Sequence, residues 1–150
     1  MFMPSKPVTR AHMSAILARI YKANMNNVTA EKKFSDVETD AWFSKELTWG
    51  VDNAVIEGYK DGTFRPNNNM TRQQFVTTLY RLSTPEQRQF TPVNDAVDMS
   101  NVSDYAMEAM RWAMAKGIVQ GDTYGRVNPK EPVTRVAASA IIMRYETNVK

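Results

Sequence analysis

The chain of 150 residues contains no cysteine, which excludes disulfides, thiolate nucleophiles and cysteine-held metals. It has one histidine, His12, with no second histidine nearby, so no histidine metal cluster is available and the residue reads as a solvated surface side chain. No apolar run approaches the roughly 20 residues that a membrane-spanning helix needs. The opening MFMPSKPVTR lacks the charged-then-apolar layout of a signal peptide. No run of lysine and arginine is interleaved with aromatics, the pattern that grips single-stranded nucleic acid, so nucleic acid is not an expected partner despite a pI near 9.2.

What is present is a repeat. Thr-Arg pairs put arginines at Arg10, Arg72 and Arg135, steps of 62 and 63 residues. Pro4, Pro66 and Pro129 keep the same steps, as do Arg19, Arg81 and Arg144; Gly58 with Gly121, Gly62 with Gly125 and Trp49 with Trp112 each lie 63 apart. Agreement across so many residue types makes an internal repeat the organising feature. Residues 34–83 form one complete copy, residues 1–23 match only the second half of a copy, and residues 97–147 are a diverged third. Residues 24–33 and 84–96 read as linkers, the composite making one domain over residues 1–150.

The repeat also explains the charge. Residues 34–63 hold two Lys/Arg against seven Asp/Glu, and residues 64–90 hold four against one. Residues 1–33, containing only a basic half, hold six against one. The basic excess is therefore a matter of which halves are present.

Within each copy the pattern predicts helix, glycine-rich turn, helix. An extended FMPSKP segment precedes the first helix. Thr9, Thr71 and Thr134 are predicted N-caps, with Thr71–Gln74 a full capping box; Val8 with Met13, and Met70 with Phe75, stand at staple positions. Met13, Ile16, Leu17 and Ile20 give one apolar stripe, Phe75, Leu79 and Leu82 the next, and Ala138, Ile141, Ile142 and Tyr145 the last. In the first half of copy two, Asp40 is the predicted cap of a helix lined by Phe43, Leu47 and Val51 or Ala54. Val55-Ile56 reads as a strand fragment, and Asp61-Gly62 as a tight turn with positive φ. In copy three Ser103 is the expected cap and Gly117 the residue just past the helix end. Trp49 reads as packing; Trp42 is divided between core and ligand platform.

The string FSDVETDAWF…GYKDGTFRPNNNMTRQQF resembles the S-layer homology domain, whose pattern runs Phe-x-Asp-Val, Trp, a helix, Gly-Tyr-x-Asp-Gly-Thr-Phe-x-Pro and Thr-Arg-Ala-Glu-Phe. The resemblance implies a mainly α fold of tandem helix–turn–helix repeats packed as a pseudo-threefold helical spindle. It implies a non-catalytic, extracellular module without metal or other cofactor that anchors proteins to the bacterial cell wall or S-layer. Grooves between repeats would bind secondary cell-wall polymer, including pyruvylated, anionic glycans. The residues that match the family's groove are Arg10, Arg72 and Arg135, Asp36 and Asp98, Trp42, Gly58, Tyr59 and Gly121, with the best-formed site expected around copy two from Arg72, Asp36, Trp42 and Tyr59.

The chemistry agrees with that implication. A pyruvyl ketal is a carboxylate on a sugar, which a guanidinium fork binds through two charge-assisted bonds. Each Thr-Arg arginine stands at the first position of a helix, where free N–H groups would add to anion binding. There are departures. The family glutamate is absent from TRAH, TRQQ and TRVA, Asp122 stands for the tyrosine of Gly-Tyr, and Tyr105 stands for the first tryptophan. The first copy also lacks about 30 residues of its repeat. One groove should then be incomplete, or filled by another chain through domain exchange. Two other classes follow: a ligand-free structural module acting in self-association or protein docking, and a two-carboxylate glycosidase. The recurrence of Asp36, Asp61 and Asp98 with the repeat argues against the glycosidase.

Overall fold

The computed structural model describes residues 5–150, so the opening Phe2–Pro4 segment and its predicted extended course lie outside the described residues. Five α-helices follow in order: α1 (Arg10–Tyr21), α2 (Ser44–Asp52), α3 (Arg72–Leu82), α4 (Met107–Ala115) and α5 (Arg135–Asn148). Short 3-10 turns occupy Met25–Asn27, Met99–Asn101 and Asp104–Ala106. No strand forms among the described residues, only three isolated bridges. The fold is mainly helical, in helix–turn–helix repeats.

The threonine caps form as the pattern predicts. Thr9, Thr71 and Thr134 are extended, and each hydroxyl accepts from the N–H three residues on; the Thr71 N–H in turn donates to the Gln74 side-chain Oε1, completing the capping box. The staple residues Val8, Met13, Met70 and Phe75 are all buried, as are Leu17, Ile20, Leu79, Ala138, Ile141 and Tyr145; Ile16, Leu82 and Ile142 are half-buried at the stripe edges. Gly117 takes φ +70° just beyond α4, and Gly62 φ +84° in the Asp-Gly turn.

Four expectations need correction. Asp40 does not cap α2, which starts only at Ser44. Successive turns bond Ala41 N–H to the Glu38 carbonyl and Ser44 N–H to the Ala41 carbonyl, carrying the chain past Asp40 until Phe43 is buried. Val55 and Ile56 are not a strand: both N–H groups donate to the Gly50 carbonyl, at 2.9 and 3.1 Å, folding the pair back under α2. Both are buried, whereas Val51 on the helix face is half-buried and Ala54, past the end of α2, is exposed with φ +58°. Ser103 precedes the Asp104–Ala106 turn without capping it; its hydroxyl and N–H are held by the Gln73 side chain. His12 is half-buried, with Nδ1 2.7 Å from the Thr9 hydroxyl and its ring against Trp42.

The chain packs as two units, with boundaries just before the first two Thr-Arg caps. Thr9–Asn69 joins α1 to the first half of copy two, with Met13, Leu17, Phe43, Leu47, Ile56 and Phe64 buried. The second unit comprises Met70–Lys150 with the described residues up to Val8, and buries Phe75, Leu79, Met110, Trp112, Val127 and Tyr145. In this second unit, three residues in repeat register bond in cyclic order. Val8 N–H donates to Val133 (2.9 Å), Val133 N–H to Met70 (2.8 Å) and Met70 N–H to Val8 (2.8 Å). All three are nearly inaccessible, so the ring closes backbone groups that water could not serve.

Candidate functional site

The first site residues to consider form a clamp that occurs twice. In the unit Thr9–Asn69, the peptide group joining Phe64 to Arg65 is held from both ends. Its carbonyl accepts from Arg10 Nε (2.7 Å), and its N–H donates to Asp36 Oδ2 (2.8 Å). Asp36 Oδ1 takes the preceding N–H, that of Phe64, at 2.8 Å. In the second unit Arg72 Nε donates to the Val127 carbonyl (2.9 Å) while Asp98 accepts from Val127 N–H and Asn128 N–H (3.0 and 2.9 Å). Each clamp joins the Thr-Arg arginine of one copy to the glycine turn of the next, so the arginine that works with Asp36 is Arg10, and Arg72, expected beside Asp36, works with Asp98. The residue beyond the clamped carbonyl is left-handed in both, Arg65 at φ +58° and Asn128 at +51°.

Arg10 is consequently only 7% exposed. Its Nη2 also donates to the Glu57 carbonyl (2.9 Å), and the guanidinium lies over the Phe64 and Tyr59 rings at 4.6 and 4.9 Å. Burial pushes the Arg72 guanidinium below its ordinary value, opposed by the carboxylate of Glu131. The free first-turn N–H groups expected beside these arginines are not free. Arg10 and Ala11 donate to Asn68 and Pro66 (both 2.9 Å), and Arg72 and Gln73 to Glu131 and Pro129 (2.9 and 2.8 Å). Arg135 N–H donates in the same way to Lys6 (2.9 Å), while the residue in register with Phe64 and Val127 for its guanidinium is Phe2, outside the described residues.

The remaining predicted residues divide between turn and surface. Gly58 lies where a Cβ would stand 2.0 Å from the Phe34 ring, so a glycine is needed for that approach. Tyr59 N–H closes the turn onto Thr63 (2.8 Å), as Asp122 N–H does onto Arg126 (2.9 Å) in copy three, where Gly121 packs on the Gly125 backbone. Trp49 is buried at 8% exposure against Tyr21, whereas Trp42 is 62% exposed between His12 and Phe43. Tyr105, one repeat on from Trp42, is 54% exposed.

Clefts open among the described residues of the second unit. One of about 380 Å³ is lined by Asp98, Asn101, Arg126, Asn128, Lys130 and Glu131. Sequence reasoning found only Asp98 of these, because Arg126 and Lys130 stand in register with Thr63 and Asn67 and so carry no repeat signal. Asp122 sits beside Arg126. The Arg126 main-chain N–H, helped by Asn128 and the Tyr124 N–H, holds its carboxyl down at about 2. Another, of about 570 Å³, is bounded by Tyr80, Arg88, Phe90 and Glu108. It exists because the segment read as a linker is pinned: Arg88 donates to the Tyr80 and Arg81 carbonyls (both 2.8 Å), and Trp112 Nε1 to Gln87 (2.9 Å). Among the described residues no three His, Cys, Asp or Glu side chains converge as metal ligands, and no helix is long and apolar enough to cross a membrane.

Comparison with known proteins agrees with this construction. The S-layer homology domain matches residues 33–76 and 97–139. The chain is similar to an amylopullulanase of Thermoanaerobacterium thermosulfurigenes, 30% identical over 145 residues, which are 94% of this chain and 8% of that protein. It is 23% identical over 147 residues to a cellulosome-anchoring protein of Acetivibrio thermocellus (96% and 33%), and 26% identical over 149 residues to an S-layer protein of Bacillus thuringiensis subsp. finitimus (97% and 18%). The chain thus spans a third or less of each of these relatives. With the two matched stretches covering more than half of the chain, and both carrying the turn that the arginine–aspartate clamps hold, the protein belongs to the S-layer homology domain family.

Proposed function

We propose that the chain is a non-catalytic cell-wall anchoring module that binds an anionic secondary cell-wall polymer, including pyruvylated glycan. Family membership puts the chain outside the cell, at the cell wall or S-layer. The observation that carries the binding reading is the exposure of Trp42 at 62%, repeated one copy later by Tyr105 at 54%, while Trp49 and Trp112 are buried. Beyond its contacts with His12 and Phe43, most of the indole is open to water, and its face suits the apolar side of a sugar ring. In this reading Arg10, Asp36, Gly58 and Tyr59 shape and charge the copy-two site beside Trp42; Arg72, Asp98 and Gly121 do so in copy three, and Arg135 in the remaining one. The cyclic ring of Val8, Met70 and Val133 supports a pseudo-threefold relation of the segments that enter the three helices α1, α3 and α5.

The deciding experiment is co-sedimentation with purified Gram-positive cell walls, before and after chemical removal of the secondary polymer, for the native chain and Trp42→Ala. Binding should vanish with the polymer and weaken in the variant. Equal sedimentation with stripped walls would overturn the proposal. Trp42 is preferred to the arginines because removing an exposed indole leaves the clamps intact.

A further inference from the structure

The two turns carry an assembly that does not follow the repeat. In copy two Arg65 pairs with Asp61 four residues earlier (3.3 Å), and its guanidinium lies 3.7 Å from the centre of the Tyr59 ring. In copy three Arg126 pairs with Asp122 four residues earlier (3.2 Å) and lies 4.8 Å from the centre of the Tyr124 ring. Asp61 and Arg65 thus recur 61 residues on, two short of the repeat, and the aromatic residue changes sides of the aspartate. The residue in register with Arg65 is Asn128, and the residue in register with Arg126 is Thr63. Two turns therefore reach one arrangement of guanidinium, carboxylate and ring from different positions.

Stability does not account for it. Both ion pairs are solvent-exposed and contribute little to folding. Arg65, moreover, is in the left-handed region, where asparagine or glycine is favoured and an arginine is a cost. What the arrangement does is hold a guanidinium outward. The side chains of Arg65 and Arg126 are 43% and 48% exposed, against 7% for residue Arg10. Nη1 of Arg65 and both terminal nitrogens of Arg126 have no hydrogen-bond partner among the described residues. Ring and aspartate fix the plane of each guanidinium, so little rotamer freedom remains to be lost on binding. Arg126 lines the 380 Å³ cleft together with Asn128, the residue in register with Arg65.

We infer that Arg65 and Arg126 are the ligand-facing cations of the two turns and select a carboxylate-bearing glycan, while Arg10 and Arg72 hold the turns in shape. This inference rests on the polymer-binding reading. Its test is the double variant R65N/R126T, in which each position receives the residue that the other copy carries in register, so that both backbones are already suited to it. Binding to intact purified walls should fall at least tenfold, with an unchanged or slightly raised Tm. Walls whose carboxylates have been capped by carbodiimide amidation should bind native chain and variant equally weakly. If the variant binds intact walls as the native chain does, while native binding is lost on stripping the polymer, the inference fails and the anchoring reading stands. If native binding is absent, or survives stripping, both fail.

Discussion

Replacing Arg10 by methionine isolates what the clamp contributes, because methionine keeps most of the apolar stem and removes only the guanidinium. The Phe64 carbonyl then loses its donor in a place where Phe64 itself is inaccessible to water. An orphaned buried carbonyl costs about 1–3 kcal/mol. The contacts with the Phe64 and Tyr59 rings, at 4.6 and 4.9 Å, add about 0.5–1 kcal/mol each. Relief from keeping a charge nearly buried offsets part of this, leaving a net loss of about 2–4 kcal/mol. For a chain of this length that corresponds to a fall in Tm of roughly 6–12 °C. Thermal and urea denaturation followed by circular dichroism would measure it without any ligand. Arg10→Lys, which keeps the charge but not the fork, should recover about half. A loss below about 0.5 kcal/mol for Arg10→Met would refute the clamp.

Other perturbations separate local causes. Gly58→Ala should destabilise by about 1–3 kcal/mol because the Phe34 ring must move, and urea midpoints would show it. Gly62→Ala meets nothing within 4 Å, so only its φ of +84° matters and its loss should be nearer about 1 kcal/mol. Asp122, with a folded-state value of about 2 below its usual 3.8, stabilises the fold above its unfolded pKa and ceases to do so as pH falls through about 2. Asp122→Asn should therefore lower Tm at pH 7 and converge with the native chain near pH 2; equal Tm values at pH 7 would contradict this.

Much of the fold was legible because it rests on local rules. The threonine caps, the Gln74 capping box, the positive φ of Gly62 and Gly117 and the apolar stripes each depend on residues within one turn of one another. The misreadings arose where distant residues decide. Asp40 looked like a cap, but the turns beginning at Glu38 postpone α2 until Phe43 can be buried. His12 looked solvated, and Trp42, thirty residues away in sequence, partly covers it. For the candidate site, the repeat identified Arg10, Arg72, Asp36 and Asp98 as a related set, but their joint grip on a peptide group arises only when segments distant in sequence fold together. Arg65 and Arg126 escaped notice for the opposite reason: they share a geometry and not a register.

The central claim is that Trp42 meets wall polymer, and its own fluorescence tests that most directly. Trp49 and Trp112 are buried, so a change in emission on titrating solubilised secondary polymer would come from the exposed indole. A saturable blue shift is expected, absent in Trp42→Phe and absent with polymer whose sugars lack carboxylates. An emission spectrum that does not change at polymer concentrations saturating for wall binding would contradict the account.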